Sequence, residues 1–482
     1  MADGTNLGRL AAACGATLIG DEKVSILDVD HDSRVVGAGS LFVAIRGGTA
    51  DGHSFVPAAI AAGAAAVCVE DAGSAIGVPA LVVPDTRAAL GPLASLVHGD
   101  PSRRLRVVGV TGTNGKTTVT HLVGAACRSA GIPTAVMGTV GAQLGDRSLP
   151  MERTTPEASD FQRLLAEMVE SGIDVAAVEV SSHGLAMGRV SGTRFAVGAF
   201  TNLSQDHLDF HGDMESYEAA KATLFELCDN AVVWIDDPAG DRIAARLSIP
   251  SIRVGTGSGV DLRVASTALG LAGSEFTLEG CGLDGRFRVA LAGRFNIANA
   301  AVAAGCAAML GVPMKQIAAG LASVPPVPGR FELVPTPLDC SVVVDYAHTP
   351  DGVAAAISSA REIVADAGRV IVVVGAGGDR DRAKRPLMGA AASQADLAVF
   401  TSDNPRSEDP EAVVAAVAGG ADGPGEVVTV VDRRLAIRTA LESARVGDMV
   451  LVLGKGHEQG QDFGDRVLPF DDRQVVREEA GR

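Results

Sequence analysis

Short runs of Val, Ala, Leu and Ile recur along the chain, each broken by Gly, Asp, Asn, Ser or Pro and separated from the next by Ala-rich stretches with interspersed polar residues. A short β-branched run bounded by turn residues reads as a buried strand, and the stretches between read as amphipathic helices. Residues 1–101 carry "SLFVAI", "AAVCVE" and "ALVVPD", which predict a small α/β unit ending near "HGDPSRR". From 105 the order is "LRVVGV", a glycine turn and the helical "TVTHLVGAACRSAG", then "TAVMGTV", "DVAAVEV", "FAVGAFTNL" and "AVVWID". Strands alternating with helices predict a parallel, doubly wound sheet. Between 251 and 292 the runs "LRVAS", "EFTLEG" and "RFRVAL" lie close together and predict a small antiparallel patch. "SVPPVPGRFE" (323–332) is the best linker, because its prolines and glycine block both helix and central strand. Beyond it, "SVVVDYAHTP", "RVIVVVGAGGDR", "LAVFTSDNPR" and "DMVLVLGKGHE" each end a Val-rich run in a polar cluster. The carboxyl ends of parallel strands face the ligand crevice, so these clusters predict a second site-bearing α/β unit.

Composition changes this picture little. The chain has 482 residues, 47% hydrophobic and 21% charged, enough for several domains with their own cores. A formal net charge of −17 with no basic stripe argues against nucleic acid as a partner. The seven cysteines show no CxxC spacing, so neither a zinc site nor a disulfide framework is expected, and most read as buried thiols. No basic leader runs into an apolar stretch, and the longest apolar segment, 55–69, is too short to span a bilayer. The expectation is a cytoplasmic protein without a transmembrane segment.

The sharpest motif is "GVTGTNGKTTV" (109–119): a strand, a glycine turn and a helix start. Backbone N–H groups of such a turn and the positive helix end receive phosphate oxygens, while Lys116 adds a charge and the Thr117 hydroxyl suits magnesium. The match to GxxxxGK[ST] is imperfect, since Val110 stands where the first glycine belongs. Glu179, flanked by valines in "VAAVEVSSHG", fits a magnesium-facing acid at another strand end; a buried pair with an arginine is its alternative. "TNLSQDHLDFHGDMESYEAAKATLF" (201–225) gathers Asp206, His207, Asp209, His211 and Lys221, and reads equally as a polar loop with a solvated helix face or as a metal site.

"TGTNGKTT", "EVSSHGL", "TNLSQDHLDFHG", "YEAAKATLF", "GRFNIANA", "PGRFE" and "DYAHTPDG" occur in the order seen in the Mur ligases, and the chain resembles that family from about residue 28 to about 470. "DSRVVGAGSLFVAIRGGTADGHSF" and "GGDRDRAKRPLMG" narrow the resemblance to members that add the third residue of a peptidoglycan stem peptide. The resemblance implies an α/β protein of three domains: an N-terminal one for the uridine end of the substrate (1–101), a central P-loop ATPase (102–329) and a C-terminal Rossmann-like one (330–482). It implies ATP-dependent amide formation through an acyl phosphate, two magnesium ions and a monomer. The nucleotide site would comprise Gly112, Thr113, Asn114, Gly115, Lys116, Thr117 and Thr118 with Asn296, Arg330 and Asp345. Thr117 and Glu179 would hold one magnesium, and His207 with a carbamylated Lys221 the second. By default Lys221 would be a solvated ammonium; carbamylation by CO2 would turn a group that repels magnesium into one that attracts it.

The same resemblance implies UDP-N-acetylmuramoyl-L-alanyl-D-glutamate as the acceptor. Ser33 and the loop Gly48, Thr49, Ala50 would meet its nucleotide, and Thr154, Thr155, Ser181 and Arg189 its muramoyl-dipeptide. Met187 stands where some members carry glutamine, so a polar contact is not expected there. "DNPR" is the pattern of members that take meso-diaminopimelate, and Arg406 offers a fork to the carboxylate that lysine lacks. Asp403 or Glu458 would receive the accompanying ammonium, with Asn404, Pro405, Arg380 and Gly454 completing the pocket. A salt bridge from Arg406 to Glu408 or Asp409 is the plain structural alternative. An L-lysine-adding ligase, a folylpolyglutamate synthetase and a regulatory nucleotide-binding module are the other readings.

Overall fold

The computed structural model describes residues 4–48, 50–75, 77–145, 147–325, 327–365 and 368–481. Three principal sheets organise them. The first has five strands in the order Thr17–Ile19, Ala80–Val82, Ala66–Val69, Ser40–Val43, Asp28–Asp30, all parallel neighbours except the first pair. "AVCV" is buried at every position because helices cover both faces of the sheet.

The second sheet has eleven strands and centres on Arg106–Thr111. Val175–Glu179 lies parallel on one side and Val197–Phe200 on the other, so the chain passes to either side of the phosphate-loop strand. That reversal opens the crevice in which doubly wound folds bind ligands. The expected antiparallel patch is present as Leu262–Gly270, Gly273–Glu279 and Gly285–Val289, but it continues the main sheet through Ser251–Gly255. A second antiparallel extension, Gly141–Leu144 with Arg147–Leu149, occupies the opposite edge and was not expected.

The third sheet has the order Glu332–Leu333, Ser341–Asp345, Met449–Leu453, Val370–Val374, Leu397–Phe400, Glu426–Thr429, parallel except at its first pair. The described residues of the proline-rich segment are not a free linker. Val327 and Phe331 are buried, Phe331 packs on Phe295 at 5.6 Å, and Gly329 lies so close to Gly456 and His457 that a Cβ would come within 2.2 Å of the His457 nitrogen. On the other side, Arg163 reaches from the central unit to Asp28 and Asp30 at 3.2 and 2.9 Å. Among the described residues, no helix is long and apolar enough to cross a membrane. Cys68, Cys127, Cys228 and Cys306 are buried, whereas Cys281 is exposed.

Candidate active site

The strand Arg106–Thr111 delivers residues 112–115 to the helix Lys116–Ser129. Gly112 and Gly115 hold left-handed backbone (φ 142° and 86°), where a Cβ would fall 1.9 Å from Thr201 Oγ1 and 2.3 Å from Asn299 Oδ1. Neighbours then lock the turn. The Thr113 and Asn114 amides donate to the Asn202 carbonyl and Oδ1 at 2.8 and 3.0 Å, and Thr201 Oγ1 donates to the Asn114 carbonyl at 2.6 Å. With those two amides engaged, the helix-start amides from Gly115 to Thr118 are the ones a phosphate would use, since a first turn has no acceptors of its own. Lys116 Nζ curls back onto the carbonyls of Gly112 (2.9 Å) and Thr113 (2.8 Å). Burial lowers its pKa, and Glu179 opposes that shift.

Glu179 ends the strand beside the loop and is 2% exposed. No arginine pairs with it among the described residues. Instead Thr139 donates to both carboxylate oxygens, through its amide at 2.9 Å and its hydroxyl at 3.1 Å, and the absence of a side chain at Gly138 makes room for them. Thr154 joins Thr139 at 3.0 Å; Thr155 donates to the Glu179 carbonyl at 2.9 Å and accepts from the Ser181 amide at 3.0 Å. Arg189 donates to the Thr155 carbonyl at 3.2 Å and pairs with Glu157 at 3.0 Å. Thr154, Thr155, Ser181 and Arg189 are thus brought to the edge of Glu179, while Met187 sulphur accepts from Arg189 at 3.3 Å. Ser33 lies half-buried in a turn and Gly48 and Ala50 are exposed in the N-terminal unit; Thr49 lies outside the described residues.

His207 and Lys221 flank one aromatic ring. Tyr217 receives the Lys221 ammonium over its face at 4.3 Å and lies 6.4 Å from the His207 ring, while its hydroxyl meets Thr113 Oγ1 at 3.1 Å. Lys221 is not the solvated ammonium that a surface helix predicts. It is 1% exposed, no carboxylate lies in ion-pair range among the described residues, and burial together with Lys116 pushes its pKa well down. Burial holds His207 at about 3, with His183 4.7 Å away adding to the effect, so the imidazole is neutral and able to ligate. Beside it, burial would raise Asp206, but a hydrogen bond from His348 and the charge of Lys384, 3.0 Å away, carry it well below the usual carboxylate range. The oxygens of Thr117 and Glu179 suit a hard cation, and His207 with an anionic Lys221 adduct would suit a second; an ammonium there would not.

A cavity of about 570 Å³ opens beside the loop, lined by Asn114, Gly115, Thr118, Trp234, Asn299, Arg330 and Asp345 among others. Arg330 donates to Thr117 Oγ1 at 3.1 Å and lies over the Tyr346 ring at 4.6 Å. Asp345 accepts from the Phe331 and Ala347 amides at 2.6 and 2.8 Å, with burial raising its pKa. Asn296 does not line this cavity: it is 1% exposed, donates to the Ala292 carbonyl and accepts from Asn299, which takes the lining position.

A smaller cavity, about 130 Å³, is lined by His207 and Asp206 on one side and by Arg380, Asp403, Asn404, Arg406, Gly454 and Glu458 on the other. Pro405 packs over Gly378 instead of facing it. Arg406 sits at φ 50°, donates from Nη1 to the Gly378 carbonyl at 2.6 Å and keeps a looser 3.6 Å pair with Asp462. Glu408 is taken by Arg385 and Arg382, and Asp409 caps the helix Pro410–Ala418, so neither engages Arg406. Sequence reasoning missed Asn299, Tyr217, His183, His348 and Lys384. All five stand within the motifs that carry the resemblance, but nothing in those motifs marked their partners.

Three comparisons bear on this geometry. The Mur ligase middle domain matches residues 110–307, the Mur ligase glutamate ligase domain 329–456, and the Mur ligase family catalytic domain 26–98. The chain is 45% identical over 465 residues, 94% of each chain, to a UDP-N-acetylmuramoyl-L-alanyl-D-glutamate–2,6-diaminopimelate ligase of Geobacillus thermodenitrificans. It is 44% identical to the ligase of the same name from Streptomyces coelicolor, over 98% of this chain and 96% of that one. A solved ligase of that name is similar at TM-score 0.72 and 31% identity, covering 99% of both chains. The fold also matches MurF of Acinetobacter baumannii (TM-score 0.67, 19% identity, 99% of both chains). Three family models and relatives at 44–45% identity over nearly the full length agree, and the chain belongs to the Mur ligase family of ATP-dependent ligases.

Proposed function

We propose that the chain joins meso-diaminopimelate to the D-glutamate carboxylate of UDP-N-acetylmuramoyl-L-alanyl-D-glutamate at the expense of ATP. One observation carries the reading: the cavity that holds Arg406, Asp403, Asn404 and Glu458 is the same one that His207 and Asp206 line. An amine donor anchored by Arg406 is therefore directed at the acceptor's end of the site.

In this reading a carboxylate oxygen of the acceptor attacks the γ-phosphorus and ADP leaves. The amine nitrogen then attacks the acyl carbon, phosphate leaves, and a proton is released as the amide forms. A free carboxylate resists such attack because it offers no leaving group, which is why phosphorylation must come first. Magnesium, when bound, offsets the charge on the transferring phosphoryl group. Lys116 supplies charge at the β/γ-phosphates, and the helix-start amides from Gly115 to Thr118 orient them. Thr139 fixes both oxygens of Glu179, so that acid presents one geometry to the Thr117 side of the site. Carbamylation of Lys221 is supported by its burial with no acid in ion-pair range among the described residues, since a neutral amine is the form that adds CO2. Arg330, reaching Thr117 from the segment that enters the third sheet, closes the nucleotide cavity. Ser33 and the 48–50 loop are assigned to the uridine end, and Thr154, Thr155, Ser181 and Arg189 to the muramoyl-dipeptide. The same reading divides the chain into domains 1–101, 102–329 and 330–482, acting as a cytoplasmic monomer.

The test supplies the purified chain with ATP, magnesium and the uridine-linked dipeptide, adds each amino acid in turn, and measures phosphate release. Diaminopimelate is expected to support turnover far better than L-lysine. A preference for lysine, or turnover of a folate substrate without uridine nucleotide, would overturn the reading. Lys116→Ala is expected to abolish ADP formation at unchanged melting temperature; retained substrate-dependent ADP production would refute its role.

A further inference from the structure

Lys455 is 0% exposed, and it has no role in the assignments above. Its ammonium lies 2.8 Å from Asn404 Oδ1, 3.1 Å from Glu458 Oε2 and 3.5 Å from Asp403 Oδ1. All three partners line the cavity that holds Arg406. Asn404 Oδ1 also accepts from the Asp462 amide at 3.0 Å, so its Nδ2 is turned to Glu458 Oε2 at 2.8 Å. One buried ammonium therefore fixes the orientation of the Asn404 amide and ties the loop after Leu397–Phe400 to the turn after Met449–Leu453, while Asn404 Oδ1 carries the link on to the strand Gly460–Asp462.

Charge adds a second constraint. Asp403 and Glu458 bring two negative charges to one wall, and neighbouring Arg433 is already neutralised by Asp472 at 2.6 Å within the same core. With Lys455 in place the wall carries one net negative charge, which matches one incoming ammonium. Without it the two carboxylates would repel each other and splay. Gly454 has no side chain, and a Cβ there would sit 2.5 Å from Asp403 Oδ2, so the glycine is what makes room for the acid in this position.

We propose that Lys455 is a positioning residue for the amine donor: it holds Asp403, Asn404 and Glu458 in one arrangement facing Arg406 and leaves that wall with a single charge for the donor's ammonium. This rests on the assignment of the cavity to the amine donor. Arg406 and the acid wall then act as a two-point gauge, one for an anionic end and one for a cationic group, whose separation Lys455 sets.

The test compares full-length wild type, Lys455→Met and Lys455→Gln, measuring KM separately for diaminopimelate, ATP and the uridine-linked acceptor, with melting temperature alongside. Lys455→Met is expected to raise the donor KM by about 30-fold or more, because a buried hydrogen-bonded charge is lost, while the other two KM values stay within about twofold. Methylammonium or ethylammonium in the assay should restore part of the loss by refilling the ammonium position. Should Lys455→Met fail to fold, Lys455→Gln, which keeps a donor for Asn404 but not the charge, is expected to show the same selective rise, smaller in size. An unchanged donor KM in a folded variant, or a parallel rise in all three KM values with no amine rescue, would overturn the proposal. A wild type that prefers lysine would refute the diaminopimelate assignment alone, since the selective change in donor KM would still be readable with lysine.

Discussion

Replacing Arg406 should separate donor recognition from chemistry. The guanidinium has five N–H donors; one is used on the Gly378 carbonyl at 2.6 Å and the Nε edge faces Asp462 at 3.6 Å, which leaves the Nη2 side for a carboxylate. Removing a buried, hydrogen-bonded charge partner costs about 3–5 kcal/mol, but this side chain is 27% exposed, so about 2–3 kcal/mol is the appropriate range. At about 1.4 kcal/mol per decade, Arg406→Ala should lower kcat/KM for diaminopimelate about 30- to 150-fold. The same variant should leave the slow turnover of L-lysine unchanged or improved, because lysine has no carboxylate for the fork and no longer strands a buried charge. Arg406 occupies left-handed backbone, which costs a non-glycine residue about 1 kcal/mol. Arg406→Gly should therefore melt above Arg406→Ala while showing the same donor defect, so that loss of function cannot be attributed to loss of fold. The assay is phosphate release at saturating ATP and acceptor, with each donor titrated. Equal losses for both donors, or full retention of diaminopimelate turnover, would refute the reasoning.

Two further outcomes follow from the centre of the site. Lys221→Ala should lose nearly all activity and regain part of it with formate or acetate, whose carboxylates refill the carbamate's place; no rescue at any concentration would refute carbamylation. Asp206→Asn removes an acid whose folded pKa is depressed, so its stabilisation is fully present above the unfolded value near 4 and is lost as pH falls below it. At pH 7 the variant should therefore be less stable than wild type by about 3 kcal/mol, and the gap should narrow between about pH 4 and 2, as urea titrations at each pH would read. A gap that stays constant across that range would show that the carboxylate's charge is not what stabilises the contact.

The strands were legible because parallel strands covered on both faces are written as unbroken Val-rich runs, and every such run that was singled out became one. The edge hairpin Gly141–Leu144 with Arg147–Leu149 was not, since short, half-exposed edge strands carry no continuous apolar signal. Within the site, residues inside a local motif were readable by type: the loop glycines, Glu179 and the "DNPR" turn. Residues defined by distant partners were not. Lys221 lies on a helix whose local pattern suggests solvent, and only Tyr217, anchored to Thr113 across 104 positions, reveals it as buried. Asn296 and Asn299 share a helix three residues apart, and sequence alone does not say which faces the cavity; that depends on Gly115 pressing against Asn299. "GKGHE" drew attention to its glycine and glutamate, but the lysine between them is the group that bridges Asp403 and Glu458.

Asp206 shows why the two halves of the site need not assemble independently. It neighbours His207 in sequence and lies within 3.4 Å of its ring, so it helps set the position of that imidazole. Yet its other partners, Lys384 at 3.0 Å and His348 at 3.4 Å, belong to the third-sheet unit that also carries Arg380, Asp403 and Arg406. Gln205 reinforces the joint by donating to Asp381 at 3.2 Å. A buried carboxylate needs such partners to remain charged, so separating the units exposes or protonates Asp206 and frees the His207 segment at the same moment. The wall assigned to the amine donor is thereby linked to the wall that carries Asp206 and His207, and residues from both units, not either surface alone, line the cavity between them.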